Sequence, residues 1–146
     1  MIQLHSASDQ AQVLDTMIGL TRLSPLQRAI IAGSGGMELY LGLRRRGFMR
    51  VATISTSWLP RRQHAIALLA DRNSASLERV LTEISPFLAA SATVALLFGA
   101  DESASSLGVR AKLQQMGFQI EAGVRCHQGF VLSAFRQGFS RMEKAA

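Results

Sequence analysis

The chain has 146 residues, of which 48% are hydrophobic and 18% are charged. This composition is typical of a globular protein and excludes a disordered one, and the length predicts a single domain over residues 1–146. The one cysteine, Cys126, excludes an internal disulfide and a cysteine cluster around a metal, and it favours a reducing, cytoplasmic compartment. No apolar run approaches the roughly 20 residues of a membrane helix, and no signal peptide is visible, so no membrane association is expected.

The formal net charge is +6, and all of the 16 basic residues except Lys112 and Lys144 are arginines. Such an excess favours acidic partners, which include nucleic acid, phosphorylated metabolites and an acidic protein face. It is equally compatible with a solvated surface in a protein from a high-GC bacterial genome. The candidate arginines for an acidic partner are Arg44, Arg45, Arg46, Arg50, Arg61 and Arg62.

The first part of the chain predicts helices that alternate with buried strands. Apolar residues at helical spacing predict an N-terminal helix within residues 1–24, with Ser8 as its N-cap and Ser24 after its end. Four apolar runs follow, separated by helices, and this pattern is typical of parallel strands that are buried on both faces. The runs lie at residues 29–32, 51–54, 65–70 and 93–98, and the helices lie at 37–46, 77–84 and 109–116.

The last part of the chain predicts an antiparallel hairpin. Apolar and polar residues alternate from Phe118 to Cys126, with Val124 on the apolar side, as in a strand at a sheet edge. Residues 130–135 are almost continuously apolar, and the short connection at 127–129 requires the two strands to be antiparallel. The predicted fold is therefore a three-layer α/β sandwich with about six mostly parallel strands and a reversed last strand. Residues 137–146 are predicted to form a polar tail.

A glycine-rich turn connects the first strand to the next helix. Gly33, Ser34, Gly35 and Gly36 would let the backbone approach a ligand closely, and a helix N-terminus would offer it free N–H groups. Such glycines also serve packing alone, so both interpretations stay open. Glu38, in the first turn of that helix, either complements the helix dipole or lines a ligand pocket.

Residues 30–57 resemble the first βαβ unit of the class I S-adenosylmethionine (SAM)-dependent methyltransferases. The likeness consists of a strand, a glycine turn, a helix that ends in Arg46-Gly47-Phe48, and a second strand. Residues 77–97 and 113–118 are similar to later parts of that family, and so is the closing hairpin. The resemblance implies a truncated methyltransferase-like Rossmann variant that binds SAM or a related nucleoside. The implied binding residues are Gly33, Ser34, Gly35, Gly36, Ser55 and Thr56.

The chain departs from the family at three places. Ile30 or Ile31 stands where the family has an acidic residue before its glycine motif, and Ser55 stands where the second strand normally ends in a ribose-binding carboxylate. Residues 57–64 are too few for the helix and third strand that normally wall the adenine pocket. Because a hydroxyl cannot replace a charge-assisted pair of hydrogen bonds, we expect SAM binding that is weaker by roughly 10²-fold, or a different ligand.

Other residues leave alternatives open. Asp71 follows the third strand, where nucleic-acid-type methyltransferases keep a polar motif, and it is the one weak catalytic candidate; alternatively, Asp71 and Asn73 cap the next helix. Trp58 stacks on an adenine or RNA base, fills the gap left by the missing helix, or makes a contact in a homodimer; these interpretations stay open. The three histidines have no metal-ligand spacing, so no metal is expected. The alternatives to a methyltransferase are a non-catalytic dimerisation or protein-binding module and a basic RNA-binding accessory domain.

Overall fold

The computed structural model describes residues 2–54, 59–71, 73–99, 106–127 and 129–137. Within these ranges, no helix is both long enough and apolar enough to span a membrane. The helices are α1 (Ile2–Thr21), α2 (Gly36–Arg45), α3 (Ser74–Ile84) and α4 (Ser106–Gln115), and a short 3-10 turn covers Ser85–Phe87. The strands are β1 (Ala29–Ala32), β2 (Val51–Thr53), β3 (His64–Ala70), β4 (Leu88–Gly99), β5 (Gln119–Cys126) and β6 (Gly129–Phe135).

The six strands form one sheet in the order β2-β1-β3-β4-β6-β5. The pairs β1–β2, β1–β3 and β3–β4 are parallel, whereas β6 is antiparallel to both of its neighbours, β4 and β5. The predicted six-stranded, mostly parallel sheet with a reversed last strand is therefore confirmed. The apolar sequence of β6 suits its interior position, because a strand between two others is covered on both faces.

Alternate residues of each central strand face opposite layers of helices. In β1, Ile31 packs in the cluster that contains residues of α1 and α2, and Ile30 packs in the cluster that contains residues of α3 and α4. In β3, Leu68 and Leu69 divide in the same way, and both are fully buried. This period of two is the geometry of a strand with two dry faces, and it confirms the predicted three-layer sandwich.

The bounds of α1 and β4 differ most from the sequence prediction. Helix α1 begins at Ile2, so Ser8 lies inside the helix and the prediction that it caps the helix is wrong. A serine costs only a few tenths of a kcal/mol inside a helix, so the cap signal does not stop a helix that the preceding residues can extend. The helix ends at Thr21, where Arg22 has a positive φ of 56°, before the predicted stop at Ser24. Strand β4 begins five residues before its predicted start at Thr93, immediately after the turn that contains Pro86.

The edge position of β5 is confirmed, but the face of β5 that was predicted to be buried is only partly buried. Cys126 is buried, and its Sγ donates to Thr16 Oγ1 over 3.6 Å, as a core cysteine would. Val124 is 37% exposed. The register between β5 and β6 shifts between Ile120 and Ala122, and such a bulge breaks the strict alternation of faces.

We expect Leu96→Ala in β4 to lower the free energy of unfolding by about 2–5 kcal/mol, because Leu96 is fully buried in the middle of the sheet and its truncation leaves a cavity. Leu107→Ala is the matched control, since Leu107 is 70% exposed on α4 and should change stability by no more than about 0.5 kcal/mol. Urea denaturation of the two variants measures the difference. Equal losses in both variants would contradict the described position of β4.

His64 is a buried histidine that has a hydrogen-bond partner. The residue is 3% exposed, and Nδ1–H donates to the Phe87 carbonyl over 3.0 Å. Burial lowers the pKa of the imidazole below its usual value; the hydrogen bond to Phe87 opposes this shift, and the positive charge of Arg28 lowers the pKa further. The neutral ring is therefore the form that the folded chain prefers.

The lowered pKa of His64 predicts a loss of stability in mild acid. The unfolded chain, with a histidine pKa of about 6.5, binds the proton more readily than the folded chain, so stability should fall as the pH drops below about 6.5. His64→Asn retains a hydrogen-bond donor for Phe87 but does not titrate, so its stability should depend less on pH between about pH 7 and pH 5. Identical pH profiles of the melting temperature for the wild type and this variant would rule out the effect.

Candidate functional site

The glycine turn lies against the carboxyl end of β3. Gly33 has a positive φ of 100°, and a Cβ atom there would lie only 2.1 Å from the carbonyl oxygen of Ala70. A Cβ on Gly35 would meet the Cβ of Ala70 at 3.2 Å, and one on Gly36 would meet Ile31 Cγ2 at 3.4 Å. At Gly33 and Gly35, the close approach that the missing side chain permits is to atoms of Ala70, and this supports the packing interpretation. Ligand binding by the turn stays a prediction.

The amide groups of the turn donate within the chain. The Ser34 N–H donates to Asp71 Oδ2 over 3.1 Å, the Gly35 N–H donates to Ala70 O over 2.9 Å, and the Gly36 N–H donates to Gly33 O over 3.0 Å. The expectation that this helix N-terminus offers free N–H groups is therefore wrong for these three amides. Their partners are a carboxylate and carbonyl oxygens, so the turn does not offer these donors to an anion.

Asp71 connects the glycine turn to the start of α3. Its Oδ2 accepts from Ser34, and its Oδ1 accepts from the Asn73 N–H over 3.1 Å. Asn73 in turn caps α3, because its side chain accepts from the Ala75 N–H over 2.9 Å. Asn73 therefore caps α3, as the alternative predicted, whereas Asp71 binds the amide of the N-cap residue and does not itself cap the helix. A catalytic role for Asp71 stays a prediction.

A crevice of about 260 Å³ opens beside the turn, between α1 and α2. Ala70 and Leu97, which are register partners near the carboxyl ends of β3 and β4, lie at its floor. Glu38 lines it near the turn, and Arg45 and Arg46 line it at the other end of α2. Small-molecule sites usually have volumes of about 300–1,000 Å³, so this crevice has room for part of a nucleoside ligand only.

Two polar contacts join α1 to α2 along this crevice. The Gln10 side-chain amide donates to Glu38 Oε2 over 2.6 Å, and Arg46 forms an ion pair of 2.6 Å with Asp15. Glu38 therefore lines the pocket, as one interpretation predicted, but it is also tied to the N-terminal helix. The sequence did not reveal the contribution of Gln10, because nothing in the helical spacing of α1 indicates which residue of α2 it meets.

The candidate arginines differ in their surroundings. Arg44 lies over the Tyr40 ring at 5.9 Å, Arg46 pairs with Asp15, and Arg50 donates to the Leu26 carbonyl over 3.3 Å. Arg50 directly precedes β2, at the edge of the sheet opposite the carboxyl ends of the parallel strands. Arg61 and Arg62 also precede a strand, β3. A role for any of these arginines in binding an acidic partner stays a prediction.

Several predicted residues lie outside the described part of the chain, namely Ser55, Thr56, Trp58 and the tail beyond Gln137. Among the described residues, no group of histidine, cysteine, aspartate and glutamate side chains could hold a metal ion. Arg136, which directly precedes the predicted polar tail, was not singled out from the sequence. The signal that could have found it is its position directly after the apolar run of β6.

No family model and no curated protein sequence matches this chain. Solved structures do match its fold. The precorrin-6y C5,15-methyltransferase of Geobacter metallireducens GS-15 has a TM-score of 0.61 and 14% identity, over 86% of this chain and 89% of that one. A protein-(glutamine-N5) methyltransferase of Alicyclobacillus acidocaldarius has a TM-score of 0.56 and 17% identity, over 88% and 92% of the two chains.

A third similar structure is the 1,6-didemethyltoxoflavin-N1-methyltransferase of Burkholderia thailandensis, which was crystallised with S-adenosylhomocysteine. Its TM-score is 0.57 and its identity is 12%, over 88% of this chain and 78% of that one. The chain thus has the fold of the class I SAM-dependent methyltransferases, and the resemblance stated from the sequence is confirmed at the level of the fold.

The contact between Gly33 and Ala70 predicts a large cost for a side chain at this position. We expect Gly33→Ala to lower the free energy of unfolding by about 2–5 kcal/mol, because it combines an unfavourable positive φ with a collision against backbone atoms. Gly47→Ala is the matched control: Gly47 also has a positive φ, of 92°, but nothing lies within 4 Å of its Cβ position. It should lose only about 1–2 kcal/mol in urea denaturation, and losses of similar size in both variants would contradict the contact.

Proposed function

We propose that this chain is a SAM-dependent methyltransferase-like protein that binds SAM, or a related nucleoside, at the carboxyl edge of the sheet beside the glycine turn. The observation that carries this proposal is the crevice next to Gly35. Glu38 lines this crevice, and the ends of β3 and β4 form its floor. In open α/β sheets, ligands bind at the carboxyl ends of the strands, at loops such as this one. The structure from Burkholderia thailandensis, whose fold is similar, contains S-adenosylhomocysteine.

The chemistry of the described residues suits a cationic ligand. The amides of Ser34, Gly35 and Gly36 are used within the chain, whereas the Glu38 carboxylate and the second lone pair of the Ala70 carbonyl can each accept a further hydrogen bond. Arg45 and Arg46 line the other end of the crevice. The methionyl end of SAM carries a positive sulfonium, a positive ammonium and a negative carboxylate group, and Glu38 suits its two cationic groups. When bound, SAM would supply an activated methyl group for transfer to a nucleophile.

We expect the binding to be weak. The ribose hydroxyls would meet Ser55 instead of a carboxylate, and the crevice is smaller than a complete nucleoside site. The loss of the charge-assisted pair alone corresponds to roughly 10²-fold in affinity. Apolar walls from Val13, Leu14 and Leu39 would contribute burial of the ligand's carbon atoms, which lowers this cost but does not replace the missing charge.

A second candidate function is a non-catalytic dimerisation or protein-binding module built on the same fold. Two observations favour it. Both carboxylate oxygens of Asp71 already accept hydrogen bonds from main-chain N–H groups, and atoms of Ala70 occupy the space beside Gly33 and Gly35 where side chains would lie. In that case the glycine turn would be retained for packing and no nucleoside would bind. Sedimentation measures the oligomeric state that this candidate requires, and a clean monomer would weaken the dimerisation form of it.

We expect SAM to bind the wild-type chain in calorimetry and Glu38→Gln to weaken that binding by roughly 10-fold, because the substitution removes a negative charge from the crevice. Glu83→Gln is the matched control, since Glu83 is exposed on α3 and pairs only with Arg79 over 3.8 Å among the described residues. The control should bind SAM like the wild type.

The same titration separates the two candidate functions. An absence of heat and of thermal shift at millimolar SAM and S-adenosylhomocysteine would remove the first candidate and leave the second. Binding that Glu38→Gln and Glu83→Gln weaken equally would show that SAM binds, but not in the crevice that we propose.

A further inference from the structure

A second and larger cavity lies at the opposite edge of the sheet. Its volume is about 920 Å³, and it opens beside the amino ends of β3 and β4 and the carboxyl ends of α4 and β6. Its polar lining consists of the three arginines Arg61, Arg62 and Arg136 together with Ser85 and Gln137. No acidic side chain is among the described residues that line it. We call this site the arginine cavity.

Arg136 is held rigidly at the wall of the arginine cavity. Its guanidinium donates to the Ala89 carbonyl over 2.9 Å and to the Met116 carbonyl over 3.4 Å, and it lies 4.8 Å from the centre of the Phe118 ring. Its Nε is buried and has no hydrogen-bond partner among the described residues. The cation is therefore positioned by main-chain oxygens and a ring, and none of these contacts neutralises its charge.

Arg62 brings a second positive charge to the same place. Its φ of 58° is unusual for a residue with a side chain, and its N–H donates to the Pro86 carbonyl over 3.1 Å, which fixes this loop against the turn before β4. The charge of Arg62 and the burial of Arg136 both lower the pKa of the Arg136 guanidinium, with burial as the larger cause. The two cations thus repel each other across the cavity.

Arg61 and Arg62 are exposed, and within the described ranges their side chains have no hydrogen bond and no ion pair. Most of the other arginines named from the sequence contact other residues of the chain, as Arg46 does in its ion pair with Asp15. A cavity with three guanidinium groups and no described carboxylate carries uncompensated positive charge. An anion that enters it gains attraction and relieves the repulsion between the arginines.

We propose that the arginine cavity binds the phosphate group of a small organic phosphate, independently of the crevice at the carboxyl edge. One guanidinium group can donate hydrogen bonds to two oxygens of the same phosphate group. The Ser85 hydroxyl and the Gln137 amide, which also line the cavity, add further donors. The remaining wall is apolar and suits the organic part of the ligand; it consists of Pro86, Leu88, Ala90 and Met116. The volume lies within the usual range of about 300–1,000 Å³ for small-molecule sites.

The shape of the site favours a small phosphate over a nucleic acid. Proteins that bind single strands combine a long basic groove with aromatic side chains on which the bases stack. The arginine cavity is a local recess, and none of the described residues that line it is aromatic. An oligonucleotide is therefore an alternative that the experiment must exclude.

The test is calorimetric titration of the full chain with pyrophosphate and with adenosine diphosphate. We expect both to bind, and we expect the double variant Arg61→Gln, Arg62→Gln to weaken each by at least about 10-fold, because charge-assisted hydrogen bonds are lost. The matched control is Arg79→Gln with Arg125→Gln, which removes the same charge from exposed positions on α3 and β5 outside the cavity. Its affinities should stay within about 2-fold of the wild type.

Three results would overturn the proposal. The first is an equal loss in the two double variants, which would mean that only the net charge matters. The second is binding of succinate as tightly as pyrophosphate, which would mean that the site does not select phosphate. The third is binding of a twelve-nucleotide RNA without binding of adenosine diphosphate, which would assign the arginines to a nucleic acid. Because Glu38 is unchanged in all these variants, their SAM titrations report separately on the crevice.

Discussion

The contact between the glycine turn and the end of β3 is the constraint on which the carboxyl edge depends. The Gly35 N–H donates to the Ala70 carbonyl, and Gly33 has room only for a hydrogen where Ala70 approaches. This contact sets where α2 begins relative to β3, and Asp71 joins the same turn to the start of α3. The crevice between α1 and α2 reaches this contact, because Gly35 and Ala70 both line it.

The charged residues divide between the two edges of the sheet. Glu38 and Asp71 lie at the carboxyl edge, where the turn's amides are already satisfied. Arg62 and Arg136 lie at the amino edge, around the larger cavity. Glu38 favours a cationic group near the turn, although Arg45 and Arg46 line the other end of the crevice, and the arginine cavity favours an anion. The two proposed sites therefore select groups of different charge.

The chain has the strand order of the methyltransferase fold, an open sheet whose carboxyl edge is the usual place for a ligand. It lacks the helix and the strand that this fold has between its second strand and the next central strand. In the described residues, β2 is a three-residue strand that pairs with β1 alone. No residue of β2 is among the described residues that line the crevice. The missing unit is the physical reason why the proposed binding of SAM is expected to be weak.

The sequence by itself determined the layers and the strand directions. Runs such as residues 65–70 can only be buried on both faces, and the short connection before β6 requires an antiparallel pair. It also located the glycine turn and indicated Asn73 as a candidate cap, because each of these signals is contained in a short stretch of the chain. The tertiary structure alone decided what the turn contacts and which arginines meet. Asp71 lies 37 residues from Ser34, and Arg62 and Arg136 come from opposite halves of the chain. No local pattern specifies such partners, because they meet only when the packed sheet brings the ends of distant strands to one edge.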